Sequence, residues 1–189
     1  MNNILLIGCG HMGSALLTAW SSKTNNHFFV VDPAQYKNIN KRLNKKIHAF
    51  KTLNQVRGFL LFDIIIFAVK PQVMKTAVLP LAKGLSEKKP LLISIAAGIP
   101  ISSLESWAGS DAALVRAMPN TPALVNAGIT ALFANARVLP EQRNQAESIL
   151  RAVGKVVWVE DETLMDTVTA VSGSGPAYFF YFMEALEQA

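Results

Sequence analysis

Short apolar runs alternate with segments of helical periodicity over the first half of the chain. Residues 4–7, 27–31, 63–69 and 91–95 are mainly apolar runs of strand length, as expected for strands that are covered on both faces. A helix is predicted over 13–20, between the first two runs. Because this alternation is typical of parallel strands joined by crossover helices, it predicts an α/β fold with a Rossmann-type doubly wound, mainly parallel sheet.

The elements predicted in the second half are shorter. A helix is expected over 140–153, with Pro140 near its start and Gly154 directly after its end. Pro71 is expected to end the strand at 63–69 with a rigid break. Residues 38–44 are a weaker helical candidate. Three further strand candidates follow the fourth apolar run: 113–116, 129–133 and 155–159.

The chain changes character at Asp166. A helical stretch begins there, is interrupted by SGSGP at 172–176 and resumes over 177–189. The first half of this last helix, AYFFYFM, is apolar all round, and such a helix has to be buried. We therefore expect one domain over 1–165 and the first part of a truncated helical domain over 166–189. Either a partner chain or a continuation of the chain would cover the last helix.

The composition excludes several classes of protein. Of the 189 residues, 51% are hydrophobic and 16% are charged, so a sizeable core is available and disorder is not expected. The one cysteine, Cys9, cannot form an internal disulfide, which fits a reducing compartment. The first residues do not resemble a targeting segment, and the apolar stretch at 177–183 is far shorter than the roughly 20 residues of a membrane-spanning helix. A cytoplasmic location is therefore expected.

The net charge of +5 is concentrated in one short segment. A solvated surface explains such a run most simply, and attraction of an anionic cofactor is the next interpretation. Nucleic acid ranks last, because no nucleic-acid motif or interleaved aromatic residues accompany the basic residues. Six residues form this basic segment: Lys37, Lys41, Arg42, Lys45, Lys46 and Lys51.

A glycine motif follows the first predicted strand and opens the first predicted helix. Gly8, Gly10 and Gly13 have GxGxxG spacing, which allows a tight turn, close approach of the backbone to a pyrophosphate, and close packing of helix on strand. The phosphates would lie at the helix N-terminus, where free N–H groups and the helix dipole favour negative charge. The motif predicts a dinucleotide cofactor, and a purely structural turn is the alternative.

Asp32 ends the second predicted strand, 19 positions after Gly13. An acidic residue about 20 positions after the motif hydrogen-bonds the adenosine ribose in NAD-binding folds, and it would repel the additional phosphate of NADP. Lys37, Lys41 and Arg42 argue for NADP, so the choice of cofactor stays open. Neither Cys9 nor His11 has a base, nucleophile or metal-ligand partner at a useful spacing, so catalysis by these residues and a metal site are not expected.

Three further segments add to the glycine motif. They are AVKP at 68–71, RAMPNTP at 116–122 and SGSGPAY at 172–178, and SIAAG at 94–98 fits the same pattern. In order and spacing these segments resemble the pyrroline-5-carboxylate reductase family, and the second and third are highly specific. The resemblance implies a Rossmann domain followed by a helical domain that forms a dimer. A homodimer or a higher homo-oligomer is therefore expected.

The resemblance and the glycine motif together assign residues to the two ligands. The cofactor is expected to lie against Ile7, Gly8, Cys9, Gly10, His11, Met12, Gly13, Asp32, Asn54, Ala68, Val69, Lys70, Pro71, Ile95, Ala96, Ala97, Met118, Asn120 and Thr121. The last three of these would lie beside the nicotinamide. The substrate side is expected to comprise Glu162, Ser172, Gly173, Ser174 and Gly175. No catalytic residue is assigned.

Several of these residues also have a physical interpretation of their own. Lys70 follows a predicted strand at the carboxyl edge of the sheet, where ligands bind in open α/β folds. Pro119 and Pro122 stiffen the loop between them. Gly175 is a tolerable helix cap and Pro176 suits the first helical position, so the serines of SGSGP could direct a substrate carboxylate to a helix N-terminus. Capping alone would explain the same serines.

The resemblance implies reduction of the cyclic imine 1-pyrroline-5-carboxylate to L-proline by NADPH or NADH, in proline biosynthesis. A protonated imine carbon is already electrophilic, so the protein mainly positions the reactants and excludes water. Glu162 and Asp166 are then positioning or surface groups. Family members continue through more helices and a glycine- and threonine-rich loop, so little activity is expected of this chain alone. The alternatives are a reductase of the coenzyme-F420 type and a noncatalytic dinucleotide-binding module.

Overall fold

The computed structural model describes residues 1–42, 46–56 and 62–189. One sheet runs in the order β3-β2-β1-β4-β5-β6-β7-β8. The first six strands are parallel, and β7 is antiparallel to β6 but parallel to β8. The order of the first six is that of a Rossmann fold, so the predicted fold class is confirmed. The strands are β1 Asn3–Ile7, β2 His27–Val31, β3 Ile47–Phe50, β4 Ile64–Phe67, β5 Leu91–Ser94, β6 Ala113–Met118, β7 Gly128–Ala134 and β8 Gly154–Trp158.

Helices cover both faces of this sheet. Because successive side chains of a strand point to opposite faces, Ile4 and Leu6 of β1 belong to the core cluster that includes residues of α1 and α6. Leu5 and Ile7 belong to the cluster on the other face, which includes residues of α3, α4 and α5. This double cover explains why the strands are apolar throughout. The helices are α1 His11–Lys23, α2 Tyr36–Arg42, α3 Pro71–Val78, α4 Ala82–Lys88, α5 Ile101–Ala108, α6 Pro140–Leu150, α7 Leu164–Val168 and α8 Gly175–Gln188.

The sequence pattern does not predict β3, α3, α4 or α5. Pro71 ends the segment after β4 and is also the first residue of α3. Proline is tolerated there because N–H groups in the first helical turn have no partner within the helix, so the missing N–H costs no hydrogen bond. The helices α4 and α5 have only seven and eight residues, too few for an apolar period to stand out. The candidate at 38–44 is observed as α2, and its end at 43–44 lies outside the described residues, as does Lys45.

The C-terminal segment is helical without a break from Leu164 to Gln188. A π-helical turn, Thr169–Ser174, joins α7 to α8, so the expected interruption at SGSGP is a change of helix type. Gly175 is the first residue of α8, and the preceding Ser174 has helical dihedral angles and no side-chain capping bond. The expected helix cap at Gly175 is therefore wrong: with Pro176 near the start of α8, the two helices stay joined.

The last helix lies exposed in the single chain. Each aromatic residue of α8 is more than 60% exposed, with Tyr178 and Phe179 both at 73%. An apolar surface of this kind marks a site of association rather than a solvated face. Within the described residues, no helix is both long and apolar enough to span a membrane.

Candidate active site

The glycine motif joins β1 to α1 through a loop in which backbone groups nearly touch. Gly8 has a φ of +91°, and a Cβ added there would lie 2.5 Å from the carbonyl oxygen of Ala68. A Cβ on Gly13 would lie 2.6 Å from the carbonyl oxygen of Gly8. Around a Cβ on Gly10, by contrast, no described atom lies within 4 Å. The first and third glycines are therefore required for packing, whereas the second leaves an open surface that a ligand can approach.

This open surface lies at the N-terminus of α1. Gly10 is the N-cap residue, so no side chain satisfies the first N–H groups, and the first turn contains no acidic residue. An uncapped N-terminus of a 13-residue helix presents N–H donors and the positive end of the helix dipole. The loop thus has the geometry and polarity that a pyrophosphate needs.

A cleft of about 390 Å³ extends from this loop along the carboxyl ends of β1, β2 and β4. Seven of the residues predicted to bind cofactor line it: Ile7, Gly8, Gly10, Asp32, Ala68, Val69 and Lys70. Asn54 is exposed in the 3-10 turn Leu53–Gln55, and its neighbours Thr52 and Leu53 line the cleft in its place. Seven lining residues were not predicted, and they come mainly from α3 and the ends of β2 and β3: Val31, Pro33, Thr52, Leu53, Val73, Thr76 and Ala77.

Asp32 holds the glycine loop in place. One carboxylate oxygen, Oδ2, accepts the N–H of Cys9 at 2.7 Å. The other oxygen accepts the N–H groups of Ala34 and Gln35, both at 2.8 Å. Three backbone donors therefore stabilise the negative charge of Asp32. The carboxylate is a brace for the loop as well as a candidate partner for a ribose.

Cys9 and His11 differ in their surroundings. Cys9 is buried, and burial together with the Asp32 carboxylate raises the pKa of its thiol to about 11. The proximity of a helix N-terminus would lower a thiol pKa, but here burial dominates, so the thiol is protonated near neutral pH. His11 is the exposed first residue of α1. Among the described residues, no three His, Cys, Asp or Glu side chains are grouped as metal ligands would be.

Lys70 and the SIAAG segment extend the site along the carboxyl edge of the sheet. Lys70 is exposed, precedes α3 as its N-cap residue and lines the cleft. On the next strand, Ile95 follows β5, and the Ile95 N–H donates to the carbonyl oxygen of Phe67 at 3.0 Å. Ala96 is buried and Ala97 is exposed. The strand order β1-β4-β5 therefore brings the AVKP and SIAAG segments together.

The RAMPNTP segment continues this edge at the end of β6. Asn120 precedes a 3-10 turn, Thr121–Val125, and its side-chain oxygen accepts the N–H of Ile129 at 2.9 Å. This bond ties the loop to the start of β7. Thr121 is exposed and Met118 is partly buried. Asn120 therefore has a structural role, in addition to its predicted position near the nicotinamide.

The two most specific segments meet in space. A Cβ added to Gly173 of SGSGPAY would lie 2.6 Å from Cε of Met118 in RAMPNTP, so glycine allows the π-helical turn to rest on the end of β6. A second cleft of about 380 Å³ lies along the same π-helical turn. It is lined by Gly98, Asp166, Thr169, Ala170, Ser174 and Tyr178.

The predicted substrate-side residues are not all directed into this second cleft. Ser174 lines it, but the Ser172 hydroxyl donates to the carbonyl oxygen of Val168 at 3.0 Å, and Ser172 lines an apolar groove over β7 and β8. Glu162 instead accepts hydrogen bonds from Arg116 at 2.6 Å and from the N–H of Ile101 at 2.8 Å. Arg116 belongs to the RAMPNTP motif, but the sequence alone predicts no role for it.

The fold and the glycine loop define a Rossmann-type dinucleotide-binding domain. A family model described as "NADP oxidoreductase coenzyme F420-dependent" matches residues 3–98, and one described as "Pyrroline-5-carboxylate reductase dimerisation" matches residues 162–189. Pyrroline-5-carboxylate reductase from Haemophilus influenzae is 40% identical over 98% of this chain and 68% of its own length. The chain belongs to the pyrroline-5-carboxylate reductase family.

Further relatives give the same result. The Pseudomonas aeruginosa enzyme of that name is 51% identical over 67% of this chain, a region that is 46% of its own length. Among solved structures, pyrroline-5-carboxylate reductase from Coxiella burnetii has a TM-score of 0.87 at 40% identity and covers 99% of this chain and 69% of its own. The Plasmodium falciparum pyrroline carboxylate reductase with NADP bound has a TM-score of 0.81 at 30% identity, covering 98% and 67%. This chain therefore spans about half to two thirds of the relatives it matches.

Alanine at two of the glycines should affect different properties, the stability of the fold in one case and the dinucleotide affinity in the other. We expect Gly13→Ala to destabilise the fold by about 1–3 kcal/mol, because its methyl group would overlap the Gly8 carbonyl oxygen. We expect Gly10→Ala to leave stability nearly unchanged and to weaken dinucleotide binding at least about tenfold, because its methyl group occupies the ligand's approach. Urea denaturation and titration calorimetry measure the two effects. Unchanged dinucleotide affinity in Gly10→Ala would contradict the assignment of the loop.

The thiol of Cys9 should react slowly with alkylating reagents. With a pKa near 11 instead of 9.0, its thiolate fraction at neutral pH is on the order of 100-fold below that of an unperturbed thiol. We expect the alkylation rate to rise steadily up to about pH 11, whereas the urea-unfolded chain should level off near pH 9. Mass spectrometry of iodoacetamide-treated protein measures both rates, and equal rates would show that the thiol is accessible and unperturbed.

Proposed function

We propose that the chain is the dinucleotide-binding part of an enzyme that transfers hydride from NAD(P)H to 1-pyrroline-5-carboxylate and yields L-proline. The contact between Met118 and Gly173 carries this proposal. It joins the segment expected beside the nicotinamide to the segment expected beside the substrate. Membership of the pyrroline-5-carboxylate reductase family supports the same reaction.

The residues of this chain fit a dinucleotide. The open surface at Gly10, the uncapped N-terminus of α1 and the cleft behind them offer a continuous path for the two phosphates and the adenosine. When bound, the reduced nicotinamide supplies the hydride. The protein's own contribution is to hold the ring and the imine at the Met118 end of the carboxyl edge.

The chemistry needs little acid catalysis. A protonated cyclic imine already carries the hydrogen that becomes the N–H of the secondary amine, so hydride addition to its carbon completes the reduction, and the product amine then takes a further proton from water. Within the second cleft, Asp166 is the one carboxylate among the described lining residues, and its side chain is 81% exposed. We assign it to surface electrostatics and orientation, and assign the rate advantage to positioning and water exclusion.

We propose NADPH as the preferred cofactor. Two exposed lysines flank Asp32: Lys37 lies in the first turn of α2, and Lys51 follows β3 at the register next to Asp32. Both carboxylate oxygens of Asp32 are already engaged by backbone N–H groups. The P. falciparum relative is described with NADP bound, which supports this choice. The preference for NADPH over NADH would then depend on the two lysines more than on the Asp32 carboxylate.

A direct assay tests the reaction. We expect stoichiometric oxidation of NADPH on addition of 1-pyrroline-5-carboxylate under single-turnover conditions, with slow steady-state turnover by this chain alone. L-Proline is quantified by mass spectrometry. Binding of NADPH without any oxidation by the imine would favour the noncatalytic module, and oxidation only by a deazaflavin would favour a reductase of the F420 type.

Replacing Asp32 distinguishes its two proposed roles, bracing of the glycine loop and binding of the ribose. We expect Asp32→Ala to weaken NADH and NADPH alike, by about tenfold or more, because the N–H of Cys9 loses its acceptor and the loop loses its shape. Ala34→Ser, at an exposed neighbouring position, serves as the control. Fluorescence titration of the parent and both variants with each dinucleotide gives six affinities. A loss confined to NADH would mean that Asp32 acts as a ribose ligand without bracing the loop.

We also propose how the chain is organised and assembled. A dinucleotide-binding domain spans 1–165, and 166–189 begins a helical domain that mediates association. The match of the dimerisation model to 162–189 and the exposed aromatic surface of α8 support a homodimer or higher homo-oligomer. The single buried thiol fits a cytoplasmic protein.

The association surface can be tested on α8. We expect the double variant Phe179→Glu/Phe182→Glu to sediment as a monomer at concentrations where the parent chain is dimeric or larger, because charges would face an apolar interface. Glu187→Gln, on the same exposed helix, is the control for general effects of substitution. Analytical ultracentrifugation measures the masses. A parent chain that stays monomeric at all concentrations would overturn the assignment.

A further inference from the structure

Arg116 occupies an unusual place for a charged residue. It lies on β6, between β5 and β7, is 6% exposed, and is the one buried charged residue among those the structure describes. Its Nη1 donates to Oε1 of Glu162 at 2.6 Å, and its Nη2 lies 3.7 Å from Oδ1 of Asp166. The partners lie 46 and 50 positions along the chain. The guanidinium therefore joins the sheet to the start of the C-terminal helical segment.

The same carboxylate oxygen of Glu162 makes a second bond. It accepts the N–H of Ile101, the first residue of α5, at 2.8 Å. Glu162 is thereby held between β6 and the start of α5. Because α5 follows the SIAAG loop, this position ties the helical segment to the edge that carries the proposed cofactor site.

The helical segment touches β6 a second time. Arg116 and Met118 are two residues apart on one strand, so they face the same side of the sheet. Arg116 binds Glu162, and Met118 supports Gly173. One strand face thus holds residues 162–173 at two points, an ion pair at one end and a close apolar contact at the other. Two points of attachment fix both the position and the rotation of a helix.

We propose that Arg116 is a positioning residue that holds the segment 162–174 in register on β6, so that the substrate-side π-helical turn stays opposite the proposed nicotinamide position. The importance of this register for substrate rests on the function proposed above. A buried guanidinium paired with carboxylates often adds little to the stability of a fold compared with apolar residues. Its planar, directional donors can, however, hold two segments in one relative geometry.

The test uses two variants of the whole chain with selectively labelled methionine methyl groups. Arg116→Met keeps bulk and removes the ion pair, and Glu162→Ala removes the acceptor while leaving the buried side intact. We expect the Met118 methyl resonance to shift or broaden in both variants. Arg116→Lys should restore part of the parent spectrum. Arg151→Lys is the control. It alters an ion pair with Glu147 that is also 2.6 Å long, but the Arg151 side chain is 60% exposed. This variant should leave the Met118 methyl resonance unchanged.

Ligand binding supplies the second measurement. We expect NADP⁺ affinity to change by less than about twofold in folded Arg116→Met and Glu162→Ala, while L-proline binding to the NADP⁺ complex weakens about tenfold or more. Two results would overturn the proposal: an unchanged Met118 resonance in folded variants, or parallel losses of NADP⁺ and L-proline. A parent chain that binds NADP⁺ but not L-proline would count against the proposed function, and the Met118 resonance would still decide the role of Arg116.

Discussion

The structure depends on a backbone contact at the point where β1, β4 and α1 meet. The carbonyl oxygen of Ala68 occupies the space beside Gly8, and the carbonyl oxygen of Gly8 occupies the space beside Gly13. This close packing brings α1 directly onto the strand ends and turns its N-terminus towards the carboxyl edge. Gly10 then projects into solvent without obstruction. The proposed dinucleotide site follows from three main-chain segments that approach more closely than any side chain would permit.

Much of the fold could be predicted from the distribution of apolar residues. The runs at 4–7, 27–31 and 91–95 agree with β1, β2 and β5 to within a residue, because strands covered on both faces have no polar alternation to obscure them. The short helices α4 and α5 and the strand β3 could not be recognised in this way. Their positions are set by packing against the sheet, which a local window of sequence does not contain.

The candidate site divides in a similar way. Gly8, Gly10, Gly13 and Asp32 form a local pattern with known spacing, and the structure brings these residues into one cleft, apart from the buried Gly13. The long-range contacts of Arg116 had no such pattern, since its partner Glu162 lies 46 positions away. The cleft residues from α3 were missed for another reason. A proline after a strand predicts a break, although a proline at a first helical position, such as Pro71, also begins a helix.

The π-helical turn between α7 and α8 has a geometric consequence for the whole C-terminal arm. Adding or removing one residue in a continuous helix turns everything beyond it by about 100°. The aromatic surface of α8 therefore points in a direction dictated by the turn that contains Gly173. Deletion of a single residue within 169–174 would rotate that surface about the helix axis. It would also move Gly173 away from Met118. The π-helical turn and the aromatic surface of α8 are consequently coupled in rotation, so a change of length in the turn would reorient both.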